Sequence, residues 1–238
     1  MAQIDIRKNF QSSLPFQEYT LKLWLAILLS IWSISLSAKV IESIDNIPIS
    51  TEASYVFFYH GAIAEGKKND PVSGRHGLYD FTGLKQSLDS ESYYLVTEHR
   101  ERNAIIEKHA KELANKVSDL LRNGVNPSKI SIVGFSKGGG IVATAASLID
   151  NENIRYVLLA SCPQNSQDVD WPPFKGRLLS LYEREDIWAG SCAFLADGSP
   201  KVSEFKEVVL ESGLGHGEFY RPHKRWLAPV LAWISPAS

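Results

Sequence analysis

The sequence predicts an α/β fold, a three-layer sandwich with a mainly parallel central sheet. Three observations carry this. Short apolar runs of strand length recur along the chain, nearly continuous rather than alternating. Segments of helical period separate them. A glycine-rich junction over residues 134–140 joins one such strand to one such helix. Strands that are apolar on both faces belong to a sheet covered on both sides, and strand–helix alternation makes that sheet parallel.

The first strand is Tyr55–Tyr59 (YVFFY), stopped by His60-Gly61. Residues 61–79 are rich in Gly, Pro and charge and read as a long loop. Asp80 is placed to cap a helix over Phe81–Leu88, and residues 93–97 (YYLVT) form the next strand. Residues 102–122 read as an amphipathic helix, because Ile105, Ile106, His109, Leu113, Val117, Leu120 and Leu121 recur at helical spacing. Asn123-Gly124 ends it, glycine suiting the left-handed cap. After the Asn126-Pro127-Ser128 turn, residues 129–134 (KISIVG) are a strand and 137–149 a helix rich in Gly and Ala. Residues 155–160, 177–182 and 207–210 supply further strands. Residues 221–234 close the chain as a helix that Pro229 is expected to perturb.

Composition bounds the function. The chain has 238 residues, 44% hydrophobic and 22% charged, which is ordinary soluble usage. Net charge is -2 with no basic run, so nothing points to nucleic acid or an anionic membrane surface. Lys22 precedes an uncharged apolar stretch over residues 23–38, which Lys39 ends. That is short for a bilayer span of about 20 residues, and with Ser35, Ser37 and Ala38 at its end it reads as an export signal occupying residues 1–37. The protein is then periplasmic or secreted; the alternative is an uncleaved membrane anchor formed by residues 23–38. Residues 38–238 read as one domain, long enough to bury a core unaided. Cys162 and Cys192 are the only cysteines. An oxidising compartment permits them to pair, and two buried free thiols are the alternative. No cluster has zinc-ligand spacing, so no metal is expected.

The candidate chemistry begins with Gly134-Phe135-Ser136-Lys137-Gly138, a G-x-S-x-G pattern between a strand and a helix. The sharp turn this context requires lifts a serine hydroxyl out of the sheet edge and needs small residues on both sides. Serine needs a base. His216, in Gly213-Leu214-Gly215-His216-Gly217 after the last strand, is the candidate, being flanked by glycines with freedom to swing and little packing duty. His109 lies on an apolar helix face and reads as structural, and His60 is placed to orient the loop that follows it. The base needs a carboxylate to fix its tautomer. Asp186, four residues past Tyr182, is the first choice; Glu183 and Glu185 are close rivals, Glu98 and Asp170 weaker ones. Donors for a developing oxyanion would be the backbone N–H groups of Lys137 and Ala62.

On these residues the chain resembles the α/β-hydrolase superfamily over about residues 53–235. The segments His60-Gly61, 134–138, 182–186 and Gly215-His216 look like its oxyanion loop, nucleophile elbow, acid turn and histidine loop, in the order Ser, Asp, His. GFSKGGG, DIWAGSC and GLGHGEFYRP are similar to stretches of small exported bacterial hydrolases. The resemblance implies a serine hydrolase with a Ser136–His216–Asp186 triad, no cofactor and a small-molecule acyl substrate. Three departures stand out. Residues 39–53 are too few for a full set of leading strands, so the sheet should be minimal. Residues 161–175 are too few for a lid domain. Glu183 sits at a turn position where glycine is common. Both cysteines should lie near Asp186, where a bridge would pin the acid loop.

Ester, thioester and peptide hydrolysis would use the same residues. A non-catalytic binding protein on the same fold is the alternative from another class. Glu98, His99, Arg100, Arg102, Tyr79 and Trp188 are candidates to border the pocket. Arg75 or Arg100 could hold an acidic substrate group, although a surface ion pair is the more ordinary role for each.

Overall fold

A computed structural model describes residues 39–67, 69–165 and 171–235. The expected export segment and Asp170 lie outside the described residues. Among the described residues no helix is long and apolar enough to cross a membrane.

In chain order the strands are β1 (Val40–Ile41), β2 (Tyr55–Tyr59), β3 (Val72–Ser73), β4 (Gly77–Leu78), β5 (Tyr94–Val96), β6 (Ile130–Phe135), β7 (Arg155–Leu159), β8 (Cys162–Pro163), β9 (Gly176–Glu183), β10 (Ala189–Gly190) and β11 (Val202–Leu210). The helices are α1 (Phe81–Leu88), α2 (Ile106–Arg122), α3 (Lys137–Leu148), α4 (Ala193–Asp197) and α5 (Lys224–Ile234). Seven strands form one sheet in the order β1-β5-β2-β6-β7-β9-β11, and every neighbouring pair is parallel. β3–β4 and β8–β10 are two small antiparallel pairs outside it.

The period-2 alternation of each strand sorts its side chains into two apolar layers. Phe57 and Ile132 face a layer formed with Leu113, Val117, Ile141 and Val142 of α2 and α3. Their chain neighbours Phe58 and Val133 face the opposite layer, with Leu84 of α1 and Trp226 and Val230 of α5. All residues of β2, β6 and β7 are buried, as expected for central strands covered on both faces.

The observed elements depart from the sequence expectation at the edges. β11 begins five residues earlier than expected, because Val202–Glu207 is half-exposed and polar on an edge strand. α2 starts at Ile106, after an Ile105 that offers no capping side chain. The loop over 61–79 contains the β3–β4 hairpin. α5 runs unbroken through Pro229. Only residues 160–175 separate β7 from β9, so no large lid domain covers the carboxyl edge of the sheet.

Candidate active site

β6 runs into Ser136, which holds φ 52° and ψ −121°, a left-handed conformation strained for a residue with a side chain. Its N–H donates to the Leu159 carbonyl at 2.9 Å, and α3 leaves directly from Lys137. The turn closes because its glycines leave no side chain in the way. A methyl at Gly138 would lie 2.1 Å from the Tyr59 carbonyl oxygen, and one at Gly134 would lie 2.6 Å from Cα of Gly139. The same packing sets the end of β2 against the start of α3, so a methyl on Gly61 would come within 3.5 Å of Ser136 Cβ.

His216 lies across the cleft. Its Nε2 is 3.0 Å from Ser136 Oγ and its Nδ1 is 2.7 Å from Asp186 Oδ2. A carboxylate can only accept, so Nδ1 carries the proton and Nε2 is the bare acceptor facing the hydroxyl. Asp186 Oδ1 accepts from the N–H groups of Trp188 (2.9 Å) and Ala189 (3.2 Å), which leaves Oδ2 aimed at the imidazole. The expectation of a freely swinging His216 needs correction. Residues Gly215–Tyr220 form a 3-10 turn, and His216 is buried against Phe135 and Trp188.

The rival acid Glu183 is fully buried and holds that turn. Its carboxylate accepts from the N–H groups of Glu185 (2.7 Å), Ser212 (2.9 Å), Gly213 (3.0 Å) and Gly215 (3.1 Å). It thus ties the acid turn to the histidine turn without touching the imidazole. Glu185 is exposed at the rim, and Glu98 lines a separate depression with His109 and Glu112. Cys162 and Cys192 are bonded, Cα to Cα 5.5 Å, beside the β8–β10 pair that carries the chain away from Asp186. Gln164 from the same segment donates to the Asp186 carbonyl.

Lys137 and Ala62 each begin a helical turn, so their N–H groups have no intrahelical partner. The Ala62 peptide is oriented from behind. The Arg100 N–H donates to His60 Nε2 at 3.1 Å, so the His60 proton sits on Nδ1, which donates to the Gly61 carbonyl at 2.8 Å. That carbonyl belongs to the same trans peptide unit as the Ala62 N–H, which therefore points the opposite way. Burial, reinforced by the nearby Arg100 charge, pushes the His60 imidazole down to about 3, so it is neutral. Glu65 bridges Arg100 (3.5 Å) and the Lys137 ammonium (2.9 Å), linking the two N–H-bearing segments.

A cavity of about 390 Å³ opens beside His216, walled by the β3–β4 hairpin, the acid turn and the histidine turn. Of the side chains expected at the pocket, Trp188 lines this cavity. Tyr79 is buried in an aromatic cluster with Phe135 and Tyr220. Arg100 is buried against Glu65, so it is not a substrate-binding arginine; with His99 it borders the depression that contains Glu98. The roles of Glu183, Glu65 and Arg100 escaped sequence reasoning, because each depends on a partner distant in the chain. His76, which packs against Trp188 and Tyr220, escaped it too; burial and the neighbouring His216 and Arg75 lower its pKa. Among the described residues no group of acidic, histidine or cysteine side chains could hold a metal ion.

The phospholipase/carboxylesterase family matches residues 91–169, a stretch that contains the Ser136 elbow but neither Asp186 nor His216. No curated protein matches the chain by sequence. Among solved structures, a lipase-esterase related protein from Clostridium acetobutylicum is 13% identical, covering 79% of this chain and 98% of its own, with a TM-score of 0.52. Arabidopsis thaliana SOBER1 is 15% identical over 76% of this chain and 97% of its own, at TM-score 0.48. A predicted CIB-like hydrolase from Thermoplasma acidophilum is 15% identical over 79% and 88%, at 0.47. Strand order and the likeness to the Clostridium acetobutylicum protein give the chain an α/β-hydrolase-like fold, and about a third of it is similar to the phospholipase/carboxylesterase family.

Proposed function

We propose that the protein hydrolyses an ester or related acyl bond through an acyl-enzyme on Ser136. The observation that carries this is the continuous hydrogen-bonded chain from Ser136 Oγ through His216 to Asp186, at 3.0 and 2.7 Å. Ser136 Oγ attacks the acyl carbon while His216 Nε2 takes its proton. The N–H groups of Ala62 and Lys137 stabilise the oxyanion, a contribution of roughly 3–4 kcal/mol per donor in related chemistry. His216 returns the proton to the leaving group, and water, activated by the same imidazole, releases the acid. Asp186 accepts from the imidazolium and holds it in place.

The match of the elbow region to a phospholipase/carboxylesterase family favours an oxygen ester. The open carboxyl edge favours a small soluble acyl substrate over a lidded lipase's. Export of the domain by residues 1–37 belongs to the same proposal, and a Cys162–Cys192 bond fits an oxidising compartment; cell fractionation would place the protein. The deciding experiment is labelling of residues 38–238 with a fluorophosphonate probe beside Ser136→Ala and His216→Ala. Labelling lost in both variants supports the reading. Absence of labelling in folded wild-type protein overturns it and leaves a binding protein on this fold.

A further inference from the structure

The cavity beside His216 is asymmetric with respect to the triad. His216 and Asp186 line it, whereas Ser136, Ala62 and Lys137 do not. In acyl transfer the imidazole gives its proton to the leaving group, so the leaving group lies on the histidine's side of the reacting carbon. This cavity is therefore where the leaving group of the proposed reaction sits.

Its charge is as telling as its place. Arg75 and Arg221 both line it. The Arg75 guanidinium lies 5.4 Å from the centre of the Trp188 ring, on the exposed rim of the cavity. Arg221 reaches the same hairpin, since a methyl on Gly77 would lie 3.4 Å from its guanidinium nitrogen. Arg100, Arg122, Arg177, Arg184 and Arg225 each pair with a carboxylate. Among the described residues Arg75, Arg102, Arg155 and Arg221 pair with none, and of these four Arg75 and Arg221 line the cavity. Asp186 is committed to His216, so the two guanidiniums outnumber Glu185, the one other carboxylate of the lining. His76 between them has an Nε2 shielded from solvent that makes no hydrogen bond among the described residues. Planar guanidiniums recognise carboxylate and phosphate in preference to other polar groups.

We propose that the cavity formed by Arg75, Arg221, Trp188 and His76 is a subsite for an anionic leaving group, so that the substrate is an ester whose alcohol part carries a carboxylate or a phosphate. This rests on the serine-hydrolase reading above. The anion lies against the guanidiniums, and the Trp188 face covers the stem that joins it to the scissile oxygen.

The test compares 4-acetoxybenzoate, its methyl ester and 4-acetoxyphenyl phosphate, each kcat/KM normalised to that ester's hydroxide-catalysed rate. The wild-type protein is expected to favour one of the two anionic esters over the neutral one by about tenfold or more, the effect of a single charge-assisted hydrogen bond. Whichever anion wins identifies the headgroup. The ratio should fall toward one in Arg75→Ala/Arg221→Ala, and in Arg75→Gln/Arg221→Gln if the first variant folds poorly. It should also fall in wild-type protein at high salt. A wild-type ratio near one, or a preference retained in both double variants, overturns the subsite. If no ester is turned over and no probe labels Ser136, the hydrolase reading fails separately. The subsite is then judged by calorimetry on Ser136→Ala, with 4-hydroxybenzoate and phenyl phosphate as ligands against methyl 4-hydroxybenzoate. Binding of either anion that is lost in the double arginine variant supports the subsite, and binding of neither overturns it.

Discussion

The two walls of the cleft are built differently. Around Ser136, position is set by close backbone packing: a methyl on Gly138 would lie 2.1 Å from the Tyr59 carbonyl oxygen. Around His216, Gly213 and Gly215 serve conformation instead, whereas Gly217 makes room for His76. Gly213 has a φ of +71°, and a methyl there would meet nothing within 4 Å. The place of this turn is set by Glu183, whose carboxylate accepts from the N–H groups of Ser212, Gly213 and Gly215. The strained turn at Ser136 needs a rigid mould, which the sheet supplies. The turn that carries His216 lies beyond the sheet and has no such mould, and the buried Glu183 carboxylate substitutes for it. Charge-assisted hydrogen bonds are directional and strong enough for that purpose.

The largest expected effects test the chain that joins the two walls. Ser136→Ala should lower kcat by about 10⁶-fold and Asp186→Asn by about 10⁴-fold, the latter by stabilising the wrong imidazole tautomer. Steady-state kinetics on any ester that the protein turns over measures both. Comparable rates in Asp186→Asn and wild type would remove Asp186 from the chemistry.

Breaking each wall separately comes next. Gly138→Ala forces a methyl into fixed backbone and should cost about 3 kcal/mol in urea denaturation. Gly213→Ala meets only the left-handed backbone penalty, about 1–2 kcal/mol. If the two cost the same, the contrast between a packed wall and a hydrogen-bonded wall is wrong. Glu183→Ala leaves several backbone donors without their acceptor and should cost about 3 kcal/mol. It should also slow fluorophosphonate labelling, because the His216 turn loses its clamp. Glu183→Gln should recover part of both, since one amide oxygen can still accept.

A further contrast is the pH response of the wall behind Ala62. His60 has its pKa pushed from 6.5 down to about 3 in the folded protein. Between those values the unfolded chain binds a proton that the folded one does not. Stability therefore falls as pH drops through that window, by up to about 1.4 kcal/mol per pH unit from this one group. His60→Gln should flatten the slope of unfolding free energy between about pH 4 and 6. An unchanged slope would mean that His60 is protonated in the fold.

Much of this was legible in the sequence because it is local. The apolar runs at Tyr55–Tyr59 and Ile130–Phe135 announce buried strands, and the glycines around Ser136 announce the elbow. The half-exposed start of β11 was not legible, because an edge strand facing solvent carries the same residues as a loop. The carboxylate facing His216 was legible only as a preference for Asp186 over its rivals. Asp186, Glu183 and Glu185 lie within one turn, and nothing local distinguishes the carboxylate that faces His216 from the one that holds the turn.

The fold class, the glycine-rich elbow at Ser136 and the small set of acids and histidines from which a site could be drawn were all readable in the sequence, because period and turn chemistry are short-range properties of the chain. Tertiary structure alone decided which acid faces His216 and that Arg100 is buried while Arg75 stands at the cavity. It also decided through which atoms His60 holds the peptide ahead of Ala62, Nε2 accepting from Arg100 and Nδ1 donating to Gly61. Each of these choices depends on partners separated by tens of residues, brought together only when the parallel sheet places the carboxyl ends of its strands side by side.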